Sequence, residues 1–235
     1  MVFNQNKIEE IIGVNFEDIK LLKTAFTHRS YLNEHRRAKL EHNERLEFLG
    51  DAVLELVVTD YLYRNYPNPE GDLTAWRSAL VKTESLAILA EKLDIGQFLL
   101  MSRGEAKTGG RSRQALLANL VEATIGAIYI EKGYQAAKEF IESKLVTNLV
   151  EIIETGSYID AKSHFQELAQ ENYSTTPVYK VLSESGPDHD KEFLMGVYLG
   201  SKKFGEGQGS SKQSAQQAAA LDGLSRLKTT TEKSN

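Results

Sequence analysis

The chain has 235 residues, 41% hydrophobic and 26% charged, a balance that suits one or two globular domains and excludes disorder as the main state. It contains no cysteine, which excludes a disulfide scaffold, a thiolate zinc site and a cysteine nucleophile. Lys and Arg number 28 against 33 Asp and Glu, and the net charge of −5 argues against bulk affinity for nucleic acid while saying nothing of local patches.

Residues 1–13 mix Asn, Gln, Lys and Glu with apolar residues and lack the basic start and apolar run of a signal peptide. No apolar stretch approaches the roughly 18 residues of a membrane span. The expectation is a soluble, cytoplasmic protein with no membrane partner. From Phe16 to Ile153 the apolar period is helical, as in Leu21, Leu22, Ala25 and Phe26, or Leu86, Leu89, Ala90 and Leu93. Leu116 to Ile130 and Ala136 to Val150 read as two further helices joined at Lys132-Gly133, with the glycine as a C-cap. The prediction is an all-α domain over residues 1–153.

Glu154 to Ser157 is a polar break, and a linker is placed at residues 154–159. Beyond it the pattern changes. Asp160 to Asn172 reads as a helix with Phe165, Leu168 and Ala169 on one face. Val178 to Leu182 is a short apolar run, Phe193, Met195, Val197 and Leu199 alternate as a half-buried strand does, and Lys202 to Glu206 offers a third strand. Ser211 to Leu227 is helical again, with alanines that permit close packing on a sheet. This predicts a small α+β domain of order α-β-β-β-α over residues 160–228, with residues 229–235 a disordered tail.

The stretch from His42 to Glu55 carries most of the chemistry. On a helix at about 100° per residue, Glu44, Glu47, Asp51 and Glu55 fall within about 80° of arc. The other faces carry Leu46, Phe48, Leu49, Val53, Leu54, Leu56, Val57 and Val58, so the helix reads as buried nearly all round. Like charges one turn apart cost about 0.2–0.5 kcal/mol per pair on an exposed helix and more once desolvated. A hard cation such as magnesium would offset that cost, since it takes carboxylate oxygens. A second acid, Glu122, is the only charge in the apolar run Ala115 to Gly126, with Asn119 one turn earlier. If the two helices pack together, Glu47 and Asp51 face Asn119 and Glu122. Spacing alone leaves a solvated acidic face as the alternative.

His42-Asn-Glu-Arg-Leu-Glu-Phe-Leu-Gly-Asp51 resembles the signature of the ribonuclease III family, and Thr27-His-Arg-Ser-Tyr31, Glu70-Gly-Asp-Leu-Thr74 and Leu116 to Gly126 agree in order and distance. Carried over by position, the resemblance implies Asp51 and Glu122 as catalytic acids. It implies Glu47, Asp51, Asn119 and Glu122 as ligands of Mg2+, with Mn2+ able to substitute, and Glu44 and Glu70 as accessory acids near the cleavage site. Asn119 departs from the pattern, standing where many members carry aspartate. Among smaller features, His28 and His42 are read as buried or capping residues. Lys107, Arg111 and Arg113 are left between phosphate contact and loop solvation, and Trp76 is read as packing.

In the second domain, Gly205-Glu-Gly-Gln-Gly-Ser-Ser-Lys-Gln-Ser-Ala-Gln-Gln-Ala-Ala219 is similar to the double-stranded RNA-binding domain. Matched to that motif, Ser163, Gln166 and Gln170 lie on one side of the first helix, His189 on the loop between the first two strands, and Ser211, Lys212 and Gln213 at the start of the last helix. A helix N-terminus offers free N–H groups to a phosphate, and duplex RNA presents 2′-hydroxyls and phosphates that can be tracked by shape. Gln213 replaces a usual second lysine. Residues 157–228 hold eight Lys/Arg against nine Asp/Glu, a net −1, so any basic face is local and binding by this domain alone is expected to be weak.

The resemblance implies an endoribonuclease that hydrolyses double-stranded RNA with a divalent metal. It leaves 5′-phosphate and 3′-hydroxyl ends and processes ribosomal precursor, messenger and transfer RNA. It also implies a homodimer through the helical domain. The rival reading is a non-catalytic double-stranded RNA-binding protein with an impaired metal site, supported by Asn119. A helical scaffold with an acidic surface is a third.

Overall fold

The computed structural model describes residues 3–37, 39–155, 161–187 and 191–231. The chain divides into two compact units that part between Tyr158 and Ile159. The first is helical and the second is α-β-β-β-α, as the sequence predicts.

The first unit begins with α1 (Gln5–Ile12), for which no helix was predicted; Asn4 caps its start and Gly13, left-handed at φ 73°, closes it. Then come α2 (Ile19–Ala25), α3 (Arg29–Glu34), α4 (Glu44–Asn65), α5 (Glu70–Val81), α6 (Thr83–Lys92), α7 (Arg103–Lys107), α8 (Gln114–Lys144) and α9 (Leu149–Thr155). Helix α8 is the axis against which α4, α6 and α2 pack. It breaks at Gly133, whose φ of 79° and ψ of −177° are not helical, so the junction predicted at Lys132-Gly133 is present within one element. Its second half stops at Lys144 rather than reaching Val150, and a short 3-10 turn over Val146–Asn148 separates it from α9. Helix α9 in turn runs past Ile153 to Thr155, across the start of the predicted linker; residues 156–159 lie outside the described set.

The second unit opens with α10 (Ala161–Tyr173). Strands β1 (Val178–Ser185), β2 (Glu192–Leu199) and β3 (Lys202–Gly209) form an antiparallel sheet in that order, and α11 (Lys212–Thr231) closes the unit. Met195, Val197 and Leu199 point inward from β2 and join Phe165, Ala169, Ala215 and Ala219 in the core. On β3 the glycines at 205, 207 and 209 recur at the strand period on the face toward α11. A Cβ at any of them would collide with the backbone of that helix. Helix α11 continues to Thr231, three residues beyond the predicted domain end at 228. Among the described residues no helix is long and apolar enough to cross a membrane.

Candidate active site and nucleic-acid interface

The acids meet because two helices touch backbone to backbone. A Cβ on Gly50 of α4 would run into the carbonyl of Glu122 on α8, and a Cβ on Gly126 into the carbonyl of Leu46. Only glycine at both positions permits this approach. Glu47 and Asp51 flank Gly50 and therefore look onto Glu122 and Asn119.

The electrostatics record the encounter. Burial pushes the Glu122 carboxyl up to about 7, with Asp51 and Glu47 adding to the rise. Burial also raises Glu47, helped by Glu44 and Asp51, while a side-chain hydrogen bond with Asn119 opposes the shift. One oxygen of Glu47, Oε2, is buried with no hydrogen-bond partner. A buried acceptor left without a donor is costly, and a cation is one way to satisfy it. Three carboxylates and one amide oxygen are also the donor types a hard divalent ion takes. Among the described residues, no three His, Cys, Asp or Glu side chains already converge on one point. The residues fit such an ion in charge and donor type, as a set of mutually repelling acids that a cation would draw together.

The other sequence candidates sort themselves. Glu44, at the exposed start of α4, sits 3.4 Å from Arg29 and 3.7 Å from His42, beside the cluster. Glu55, the fourth carboxylate of the helical stripe, is paired with Arg77 at 3.2 Å, which gives the acidic stripe an end. Glu70 is not brought to the cluster. It opens α5, beyond the far end of α4, and the 18 residues from Glu47 to Asn65 span about 27 Å.

His28 caps α3 through Nδ1, which lies 2.8 Å from the Ser30 hydroxyl, and burial holds its pKa below the usual histidine value. Arg111 donates to the carbonyls of Gly96, Gln97 and Leu99, so its guanidinium is a loop clamp. Arg113 pairs with Glu105 at 2.6 Å. Trp76 is buried edge-on against Tyr66, with ring centroids 5.2 Å apart.

The prediction that α4 is buried nearly all round is corrected. Phe48 is 80% exposed, Leu56 57% and Tyr63 79%. They lie at intervals near multiples of one helical turn, on a face left uncovered among the described residues. Ile19 and Ile130 are exposed in the same unit, and Ile130 shares with Phe48 the lining of a groove of about 680 Å³.

In the second unit, Gln166 and Gln170 are exposed one turn apart on α10, with Ser163 on the same side, opposite buried Phe165 and Ala169. Ser211 caps α11, its hydroxyl accepting from the Ser214 N–H at 3.1 Å. Lys212 and Gln213 are exposed on the first turn that follows. His189 lies outside the described residues. One participant escaped the sequence reading. Phe193, assigned there to the core pattern of β2, is half-buried, and its ring lies under the Lys212 ammonium at 5.7 Å. Its place at the start of the alternating run, next to the strand's end, was the only signal.

A helical unit with an acidic helix crossing and an α-β-β-β-α unit whose last helix opens on an exposed lysine are the two parts of a nuclease that acts on duplex RNA. Comparison with known proteins agrees. A family model described as Ribonuclease-III-like matches residues 18–149, and one described as Double-stranded RNA binding motif matches residues 161–227. The chain is 47% identical over 221 residues to Ribonuclease 3 of Protochlamydia amoebophila, spanning 94% of this chain and 90% of that one. It is 46% identical to Ribonuclease 3 of Streptococcus pneumoniae, spanning 94% and 95%. Among solved structures, the nuclease domain of ribonuclease III from Campylobacter jejuni matches with a TM-score of 0.57 at 41% identity, covering 63% of this chain and 97% of that domain. A second structure of that domain, described in terms of flexibility in a region involved in dimer formation, matches with a TM-score of 0.55 at 42% identity, covering 60% and 98%.

The chain belongs to the ribonuclease III family. It is a double-stranded RNA endoribonuclease of a family of divalent-metal nucleases. No finding favours the non-catalytic alternative.

Proposed function

We propose that the chain hydrolyses double-stranded RNA with Mg2+, Mn2+ being able to replace it, and leaves 5′-phosphate and 3′-hydroxyl ends. Its substrates would be ribosomal, messenger and transfer RNA precursors in the cytoplasm, where such transcripts are made. The observation that supports the reading is the close crossing of α4 and α8, where the buried Glu122 carboxyl is raised by Asp51 and Glu47 and Glu47 Oε2 lacks a hydrogen-bond partner.

When bound, the cation supplies charge neutralisation at the phosphate and activation of water. Asp51 and Glu122 are the essential pair, Glu47 contributes its unpaired Oε2, and Asn119 offers a neutral oxygen while its amide hydrogen bonds to Glu47. Glu44 is an accessory acid at the margin of the site. Ser163, Gln166 and Gln170 on one helix face and Ser211, Lys212 and Gln213 at the start of another hold the duplex, with His189 between them in sequence. Phe193 keeps the Lys212 ammonium in place.

The working unit is a homodimer through the helical domain. The uncovered face of α4 with Phe48, Leu56 and Tyr63 supports it, since a two-fold interface uses one patch on both copies. An antiparallel partner of this kind would also bring Glu70 of one chain toward the acids of the other, which a single chain cannot do.

The test is Asp51→Asn, which keeps shape and removes charge. It should abolish cleavage of a long RNA duplex in magnesium, with duplex affinity changed less than about twofold. Cleavage at the wild-type rate would remove Asp51 from the site.

A further inference from the structure

Three cations of the second unit are answered by acids. Lys191 lies 3.0 Å from Glu184, Lys203 2.6 Å from Glu206 and Arg226 2.7 Å from Asp222. Lys162, in the first turn of α10, finds neutral partners instead. It is half-buried, its ammonium donates to Gln216 Oε1 of α11 at 2.8 Å, and it lies 5.4 Å from the centroid of the Tyr179 ring on β1. A charge-assisted hydrogen bond and a ring face hold this ammonium in place. The backbone N–H of Lys162 donates to Gln217 Oε1 at 3.3 Å, so α11 also takes one of the N–H groups that the first turn of α10 leaves open.

The place of this join matters. Lys162 stands one turn before Gln166 on α10, and Gln216 one turn after Lys212 on α11, about 6 Å along either helix. The two helices meet again where Gly223 leaves room for the ring of Phe165. Gly223 lies seven residues beyond Gln216, about 10 Å of helix. One apolar contact is a pivot about which α10 can swing against α11. A second, polar contact that far along removes the swing. The core of Phe165, Ala169, Ala215 and Ala219 is buried without help from the ammonium, so folding of the unit does not call for it.

We infer that Lys162 is a positioning residue for duplex binding. Through Gln216 and Gln217 it sets the angle at which the α10 face of Ser163, Gln166 and Gln170 stands to Lys212, without itself meeting the RNA. Contacts carried on two helices engage one stiff duplex together only when their spacing is right beforehand. Otherwise the cost of ordering them is taken from affinity.

The inference rests on the reading that places the duplex on α10 and α11, and the experiment separates the two. Full-length chains bearing Lys162→Met, Gln216→Ala, both changes, or Lys162→Arg are compared with wild type for binding a short RNA duplex without divalent metal across a salt series. Cleavage kinetics in magnesium and melting temperatures are recorded, and Lys212→Ala is run beside them. Each single variant should lose affinity by roughly 3- to 10-fold, and the double variant no more than the weaker single, because both changes break one contact. Lys162→Arg, which keeps a cationic donor, should recover most of the loss. Gln216→Ala removes no charge, so its salt slope should stay within about 0.3 of wild type, whereas Lys212→Ala should lower the slope by about one. KM should rise with kcat within about twofold, and melting should move little. Wild-type affinity in both single variants overturns the inference, as do losses that add in the double variant. A slope lowered by about one in Lys162→Met, with Gln216→Ala at wild type, overturns it by making Lys162 a phosphate contact. Affinity lost only in step with melting overturns it by making the join a fold contact alone. Failure of the wild-type chain to bind the duplex, or an unchanged slope in Lys212→Ala, would instead overturn the reading beneath it.

Discussion

At Glu122 the folded chain raises a carboxyl from its ordinary 4.5 to about 7, chiefly by burial. Below pH 4.5 the group is protonated whether the chain is folded or not and costs nothing. As pH rises toward 7 the unfolded chain releases its proton first, so the metal-free fold loses stability across that window and carries the full penalty above it. Glu122→Gln should therefore melt close to wild type at pH 5 and above wild type at pH 8 in chelator. An equal difference at both values would mean that the carboxyl is not strained by its neighbours. Asn119 bears on the same cluster through missing charge. Asn119→Asp adds a negative ligand, so the magnesium midpoint for cleavage should fall while the cleavage positions stay fixed. Coincident midpoints in a titration at constant ionic strength would place residue 119 outside the cation's reach.

At the level of elements, the site depends on how closely α4 and α8 approach. Gly50→Ala drives a methyl into the Glu122 carbonyl, and backbone cannot step aside as a side chain does. The expected cost is about 3 kcal/mol, toward the upper end for overpacking, which in a domain of this size lowers the melting temperature by about 6–12 °C. Gly71→Ala on α5 meets no atom within 4 Å and is the matched control, expected to be neutral or slightly stabilising. Equal melting of both variants would show that the helices can part without loss. Much of this was legible in the sequence. The acid spacing on α4, the lone Glu122 in an apolar run and the two-unit order all follow from periodicity and composition. The pairing of Glu55 with Arg77, the use of Arg111 as a carbonyl clamp and the seat of Lys212 on Phe193 were not. Each joins residues 12 to 22 positions apart whose meeting depends on how elements pack, and local pattern carries no trace of that. Phe48 misled for a related reason, since an apolar residue on a helix reads as buried whether its cover comes from the same chain or from another.

For the whole molecule, the proposed assembly rests on the exposed face of α4. In the single chain Phe48 contributes little to the core, so Phe48→Asp should leave the monomer folded while placing a charge at the centre of the apolar face. Sedimentation should show a shift from dimer to monomer, and cleavage should fall with it if the acids of one chain depend on Glu70 of another. A dimeric, fully active variant would assign that face to some other use. The second unit makes a different point about recognition. Its helix α11 lies so close to three β3 glycines that a Cβ on any of them would meet the helix backbone, which would hold the span from the Gln166 and Gln170 face to Lys212 nearly fixed if these residues contact the duplex. Such a span works as a fixed gauge. Duplex RNA and duplex DNA differ in groove width and depth, and a rigid gauge cut for one is a poor match to the other. A preference for RNA would in this sense be stored in three missing methyl groups, at positions turned toward α11.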